Sequence, residues 1–215
     1  MHLKRQKVPK NYPVERKGTA YIVRANFDYR KGMPLLVVLR DILKVARTKK
    51  EVKKAIHSKN ILVNNKNAVD EKNSVLLFDT LTLVPSKKHY RVELSEVGKF
   101  EIKDITESEA NKKISKIVDK KTLKGKKTQL NLGDGRNFLS DIKCNINDSI
   151  LINFKDKKIE KCLPLKEKAN VIVFEGKHIG EKGSVSKIIE GRKMAELNVN
   201  TKKINVLIKQ LMAIE

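Results

Sequence analysis

The 215-residue chain carries 48 Lys and Arg against 25 Asp and Glu, a formal net charge of +23. A self-repelling excess of that size calls for a polyanion, so nucleic acid is the leading partner and an anionic membrane surface the second. No apolar run approaches the roughly 20 residues of a membrane helix, and the basic start has no apolar core behind it to make a secretory signal.

Of the cations, 39 are Lys and 9 are Arg. Lys gives a phosphate a mobile point charge, whereas Arg reads base edges and packs on bases with a rigid fork, so the balance leans towards backbone binding. Residues 1–35 read as an extended basic arm. His2, Lys4, Arg5, Lys7, Lys10, Arg16 and Lys17 face one acid, Glu15. Pro9 and Pro13 break any helix there. Tyr12, Tyr21, Phe27 and Tyr29 are interleaved as faces that dock or stack.

Leu35, Leu36, Val38, Leu39, Ile42, Leu43 and Ala46 recur at helical spacing and predict a helix over 35–47. Thr48-Lys49-Lys50-Glu51 is a capping box that starts a second helix. That helix buries Val52, Ala55 and Ile56 and ends at Asn60. Ile61-Leu62-Val63 then turns at Asn64-Asn65, where Asn tolerates positive φ, and Val75 to Val84 alternates as a strand. At 100° per residue, Arg40, Lys44 and Arg47 share one arc of the first helix. Lys50, Lys53, Lys54 and His57 share the corresponding arc of the second. An ordinary solvated face carries mixed signs; one-sign faces on consecutive helices fit a phosphate surface.

Residues 85–165 read as β-rich. Tyr90–Leu94 and Phe100–Ile105 are strands joined at Gly98-Lys99, and Thr106-Glu107-Ser108-Glu109 caps a short helix around Ala110. Ile114–Val118, Gln129–Leu132 and Ile150–Phe154 add strands, with turns at Gly133-Asp134-Gly135 and Asp156-Lys157-Lys158. Lys120–Lys127 reads as an exposed basic loop, with Lys126 and Lys127 as RNA-binding candidates. Residues 166–215 read as a small barrel of four strands, Val171–Phe174, Val185–Ile189, Met194–Val199 and Ile204–Ile208, separated by glycines. Gly183 is expected to open one of them at a constrained turn. Lys49, Lys177 and Lys182 complete the candidate RNA-binding set.

No catalytic constellation emerges. Gly125-Lys126-Lys127-Thr128 has Lys120 where a phosphate loop needs its first Gly. Gly133-Asp134-Gly135 runs on to Phe138 where a dinucleotide fingerprint needs a third Gly. The four His are scattered singly, and no Gly-x-Ser-x-Gly or His-Glu-x-x-His segment occurs. Cys144 and Cys162 match neither a disulfide framework nor a zinc module, which fits a reducing cytoplasm. No enzyme activity, metal or cofactor is expected.

The order of segments resembles the small-subunit ribosomal protein family S-four-e of archaea and eukaryotes. The residues that carry the likeness begin with His2-Leu3-Lys4-Arg5, Met33-Pro34-Leu35-Leu36 and Leu39-Arg40-Asp41-Ile42-Leu43-Lys44. Glu51-Val52-Lys53-Lys54, Gly98-Lys99-Phe100, Ile105-Thr106-Glu107-Ser108-Glu109-Ala110 and Asn147-Asp148-Ser149-Ile150 follow. Last comes Val171-Ile172-Val173-Phe174-Glu175-Gly176 with Gly180, Gly183 and Val185, like a KOW segment. The likeness spans nearly the whole chain, whose length is similar to archaeal members. It differs at Asn65, where the family usually has Gly, and it lacks the basic C-terminal extension of eukaryotic members.

The resemblance implies an α+β, β-rich multidomain fold. Its parts would be the basic arm (1–35), an S-four RNA-binding domain of two helices and a small sheet (36–84), a central family β domain (85–165) and an SH3-like KOW barrel (166–215). It implies a structural, non-catalytic protein of the cytoplasmic small subunit. Its partners would be ribosomal RNA and neighbouring ribosomal proteins, with no membrane, no small-molecule substrate and no homo-oligomer. Two other classes compete. An RNA-modifying enzyme of the pseudouridine-synthase type can carry an S-four domain but needs an Arg-Leu-Asp catalytic segment, which is absent here. A KOW transcription factor fits the barrel but not the arm and helices.

Overall fold

The computed structural model describes residues 2–125, 127–140, 142–200 and 202–215. They form two units, residues 1–93 with 99–111, and residues 94–98 with 112–215. Packing thus divides the chain differently from the four expected segments. Both units are β-rich with few helices, in line with the expected class.

In the first unit, β1 (His2–Lys4) pairs antiparallel with β2 (Tyr21–Val23), Leu3 opposite Ile22. The expected extended arm is therefore folded back on itself. Leu3, Val8, Tyr12, Ile22 and Ala25 are buried, enough apolar surface to offset the entropy of ordering the segment. The Tyr12 hydroxyl donates to the carbonyls of Tyr29 (2.9 Å) and Gly32 (2.6 Å), and Phe100 N donates to Asn11 O at 2.8 Å.

β3 (Gly32–Pro34) leads into α1 (Leu35–Val37), which widens into a π turn over Val38–Ile42. Leu43 N donates to Val38 O, Val45 N reaches Leu39 O, and Lys44 between them takes a φ of 53°. The helix expected to reach residue 47 thus closes like a Schellman cap, with Lys44 where glycine is usual. α2 (Lys49–His57) buries Val52 and Ile56. It stops short of Asn60 because Lys59 is also left-handed.

β4 (Ile61–Val63) turns through Asn64 and Asn65, both at positive φ, into β5 (Lys66–Asn67). The single strand expected over 75–84 is two, β6 (Ser74–Leu76) and β7 (Thr80–Leu83), broken at Phe78 with a φ of 61°. Asp79 fills the break: its carboxylate accepts from Leu76 N (2.7 Å) and from the buried Asn64 amide (2.8 Å). β6 pairs with β3, while β8 (Lys88–Leu94) and β9 (Phe100–Ile105) extend a sheet of order β5-β4-β7-β8-β9. α3 (Glu107–Ala110) carries the expected capping box. The boundary expected at 84/85 lies inside this one sheet.

The second unit holds two antiparallel five-stranded sheets. The first, of order β12-β11-β10-β13-β14, comprises β10 (Lys112–Thr122), β11 (Thr128–Leu132), β12 (Asn137–Leu139), β13 (Ser149–Asn153) and β14 (Lys158–Leu163). Lys120 and Lys121 lie within β10, so the expected basic loop is shorter. Ile117, Leu130, Ile150 and Ile152 centre its core.

The second sheet has order β18-β17-β16-β15-β19. It comprises β15 (Asn170–Val173), β16 (Lys182–Ile189), β17 (Met194–Val199), β18 (Lys202–Leu207) and β19 (Leu211–Ala213). Val171, Val185, Leu197 and Leu211 form its core. Five strands replace the expected four. Gly183 lies within β16, opposite Val171, and not at a turn. The Lys116 ammonium fastens β10 to this sheet by donating to Ile208 O (2.6 Å) and Leu211 O (2.7 Å).

Candidate nucleic-acid interface

α2 is placed by its cap. The Thr48 hydroxyl accepts from Glu51 N at 3.3 Å and donates to the Glu51 carboxylate at 3.0 Å. That carboxylate also accepts from Arg47 N at 2.8 Å, one residue earlier than a standard capping box. The Arg47 amide, then the Thr48 hydroxyl, hold the Glu51 carboxyl below its usual range.

With Val52 and Ile56 inward, Lys50, Lys54 and His57 stand exposed at i, i+4 and i+7 on one outer face. Among the described residues none of these three has an ion-pair partner. Lys49 and Lys53 turn to the side, where the Glu71 carboxylate lies 2.9 and 3.9 Å from their ammonium groups. Glu71 is buried. A hydrogen bond with Asp70 brings its carboxyl down to about 2, aided by Lys49 and opposed by burial. The one-sign arc expected on this helix therefore has an acid beside it, and its open part is Lys50, Lys54 and His57.

The Glu71 segment also positions the rest. Its main-chain carbonyls accept from Leu36 N (Glu71 O, 3.0 Å), Asn26 N (Lys72 O, 2.9 Å) and Leu35 N (Asn73 O, 2.9 Å). Arm, α1 and α2 are tied to one short loop.

The arc expected for Arg40, Lys44 and Arg47 does not form, because the helix ends before Lys44. Arg40 makes a bidentate pair with Asp41 at 2.8 and 2.9 Å. Lys44 is exposed after the π turn, and Arg47 is exposed in the link to α2.

In the arm, Lys4, Lys7, Lys10 and Lys17 are exposed, and His2 stacks edge-on against Tyr21 with ring centroids 4.4 Å apart. The two arginines are engaged within the arm. Arg5 donates to the carbonyls of Thr19 and Glu15, both at 2.5 Å, and to the Thr19 hydroxyl at 2.8 Å. Arg16 donates to Val8 O at 3.0 Å. Arg24 and Arg30, outside the expected set, lie over the Tyr29 ring at 5.0 and 5.9 Å. The aromatic residues interleaved with cations at 24–30 were the sequence signal for them.

The remaining expected residues belong to the second unit. Lys127, Lys177 and Lys182 are exposed, and Lys126 lies outside the described residues. No group of three or more His, Cys, Asp or Glu able to hold a metal occurs among the described residues. No described helix is long and apolar enough to cross a membrane. Burial, and then the neighbouring Cys144, push the Cys162 thiol up to about 12, which makes it a poor nucleophile.

Residues 86–159 match the family described as Ribosomal family S4e. The chain is 37% identical over 190 residues to small ribosomal subunit protein eS4 of Methanocella arvoryzae, covering 87% of this chain and 80% of that protein. It is 34% identical over 193 residues to the eS4 protein of Nanoarchaeum equitans, covering 88% and 82%. Its fold is similar to the crystal structure of the 30S ribosomal protein S4e from Thermoplasma acidophilum. That likeness has a TM-score of 0.73 at 23% identity and covers 86% of this chain and 95% of that one.

Proposed function

Since the chain belongs to ribosomal family S4e, we propose that it holds ribosomal RNA through exposed Lys side chains, above all those on the outer face of α2. It is a structural, non-enzymatic constituent of the small ribosomal subunit and works in the cytoplasmic ribosome in support of translation. The competing readings, an RNA-modifying enzyme and a KOW transcription factor, find no support among relatives named as small-subunit ribosomal proteins.

The observation that carries the reading is the face of Lys50, Lys54 and His57. Three basic groups on one helix face outward with, among the described residues, no carboxylate paired to them. RNA helices are read mostly by shape and backbone, which distributed Lys contacts serve. Lys4, Lys7, Lys10, Lys17, Lys44, Arg47, Lys127, Lys177 and Lys182 are further exposed cations. Arg5, Arg16, Arg40, Lys49 and Lys53 first hold the protein's own groups.

We read 36–84 as the S-four module, 85–165 as the central family module and 166–215 as the KOW barrel. Support comes from the two helices preceding the Asn64-Asn65 hairpin, from the family match over 86–159, and from the five-stranded sheet packed around Val171, Val185 and Leu197. Neighbouring ribosomal proteins complete the partner set.

The test compares Lys50→Gln/Lys54→Gln with Lys157→Gln/Lys158→Gln, a matched loss of charge from an exposed turn of the second unit. Folding should be unchanged in both, since exposed substitutions usually stay within about 0.5 kcal/mol each. Binding to small-subunit RNA should weaken more for the α2 pair, and its log–log salt slope should flatten by about 2, at roughly 0.9 per phosphate contact. Equal losses from both pairs would overturn the α2 surface.

A further inference from the structure

We infer that the turn formed by residues 24–31 takes an unpaired, unstacked nucleotide of the RNA; this rests on the RNA reading above and assigns the turn a different task from the Lys faces. Only 9 of the 48 cations are Arg, so where Arg is used in place of Lys is informative. Arg5 and Arg16 are occupied with the arm's backbone. Arg24 and Arg30 lie over an aromatic ring, that of Tyr29. Within the same turn, Phe27 exposes 46% of its surface.

The turn is built to be stiff. The Asp28 carboxylate accepts from Arg30 N at 3.0 Å, and Asp28 O accepts from Lys31 N and Gly32 N at 3.1 Å each. Tyr29 O is held by the buried Tyr12 hydroxyl, and Asn26 N is held by Lys72 O. The backbone that carries the planar groups is thus ordered before any ligand arrives, which lowers the entropy lost on binding.

A phosphate needs only a positive charge, and Lys supplies that throughout the chain. A guanidinium close to an aromatic ring, in a turn that also exposes a phenyl, offers planar surface together with charge. That combination matches a base with its phosphate. In a paired helix the base faces are covered by stacking, so the complement is a bulged or loop nucleotide.

The experiment uses the full chain with two synthetic RNAs, a fully paired duplex and the same duplex carrying one bulged adenine. The wild type should bind the bulged RNA more tightly. Phe27→Ala should weaken that binding by roughly 5- to 100-fold, the range expected for one base–aromatic stack, and leave the duplex affinity unchanged. Arg30→Lys, which keeps the charge, should also lose part of the preference. Lys50→Gln/Lys54→Gln should weaken both RNAs alike. Equal wild-type affinity for the two RNAs overturns the inference and leaves the RNA reading standing. So does a Phe27→Ala variant that weakens both equally or neither. Failure of the wild type to bind either RNA overturns both.

Discussion

The buried Glu71 carboxylate lies 2.9 Å from the Lys49 ammonium and 3.9 Å from that of Lys53, so one acid from a loop fixes the side of α2 while the outer face stays open. The same loop carries the main-chain bonds to Asn26, Leu35 and Leu36. An exposed pair contributes little, but a carboxylate this buried would be left uncompensated if its partners were removed.

Glu71→Gln removes the ionised carboxylate that Asp70 and Lys49 hold, and should lower stability by about 1–2 kcal/mol at neutral pH. The native carboxyl titrates at about 2 against an ordinary 4.5. A depressed carboxyl contributes stability that is fully present above 4.5 and is lost as pH falls towards 2. Urea midpoints of wild type and variant should thus converge across that window. A constant difference down to pH 2 would show that the ionised Glu71 carboxyl does not supply it.

At Lys116 the charged form costs stability, the reverse of Glu71, although stability again rises with pH. Burial lowers its ammonium from 10.5 to about 8, and among the described residues no carboxylate pairs with it; two carbonyls and the Phe174 ring at 5.8 Å surround it. Below pH 8 both native and unfolded chains hold the proton, and the full cost of burying the charge is present. Between 8 and 10.5 the unfolded chain binds more protons, so stability rises with pH. Relative to Lys116→Met, the wild type should gain up to ~3 kcal/mol over that window, read as a difference in urea midpoints. Parallel pH profiles would rule the titration out.

Gly183 is needed for space and not for a turn. A Cβ there would stand 2.4 Å from Asn198 O, while one at Gly191 meets nothing within 4 Å. Gly183→Ala should cost about 1–3 kcal/mol, as overpacking usually does, and Gly191→Ala close to nothing. Gly125 is a poorer control, because its φ of +80° strains any side chain. Equal denaturation midpoints for the 183 and 191 variants would contradict the close approach of β16 and β17.

Tyr12→Phe removes a hydroxyl that two carbonyls use. Burial, the largest cause, raises the Tyr12 pKa well above its usual range. The variant should be less stable by about 1–3 kcal/mol, and amides of β1 and β2 should exchange faster than those of α2. Unchanged exchange in that pair would mean that the arm is held by its other contacts alone.

Much of the local structure follows from the sequence by itself. The Thr48 cap, the Asn64-Asn65 turn, the α3 box and the longer strands are set by neighbours within four residues, and their spacing displays them. The +23 charge selects a polyanion because charge sums regardless of fold. The tertiary structure decided what depends on distant partners. Tyr12 finds acceptors 17 and 20 residues away and folds an arm that otherwise reads as unstructured. Glu71 divides the cations of α2 into held and open ones. Left-handed Lys44 ends a helix whose apolar period runs on, because bonds to Val38 and Leu39 close it first. β12, β14 and β19 were not legible because each is an edge strand, and no local pattern records an edge supplied by another part of the chain.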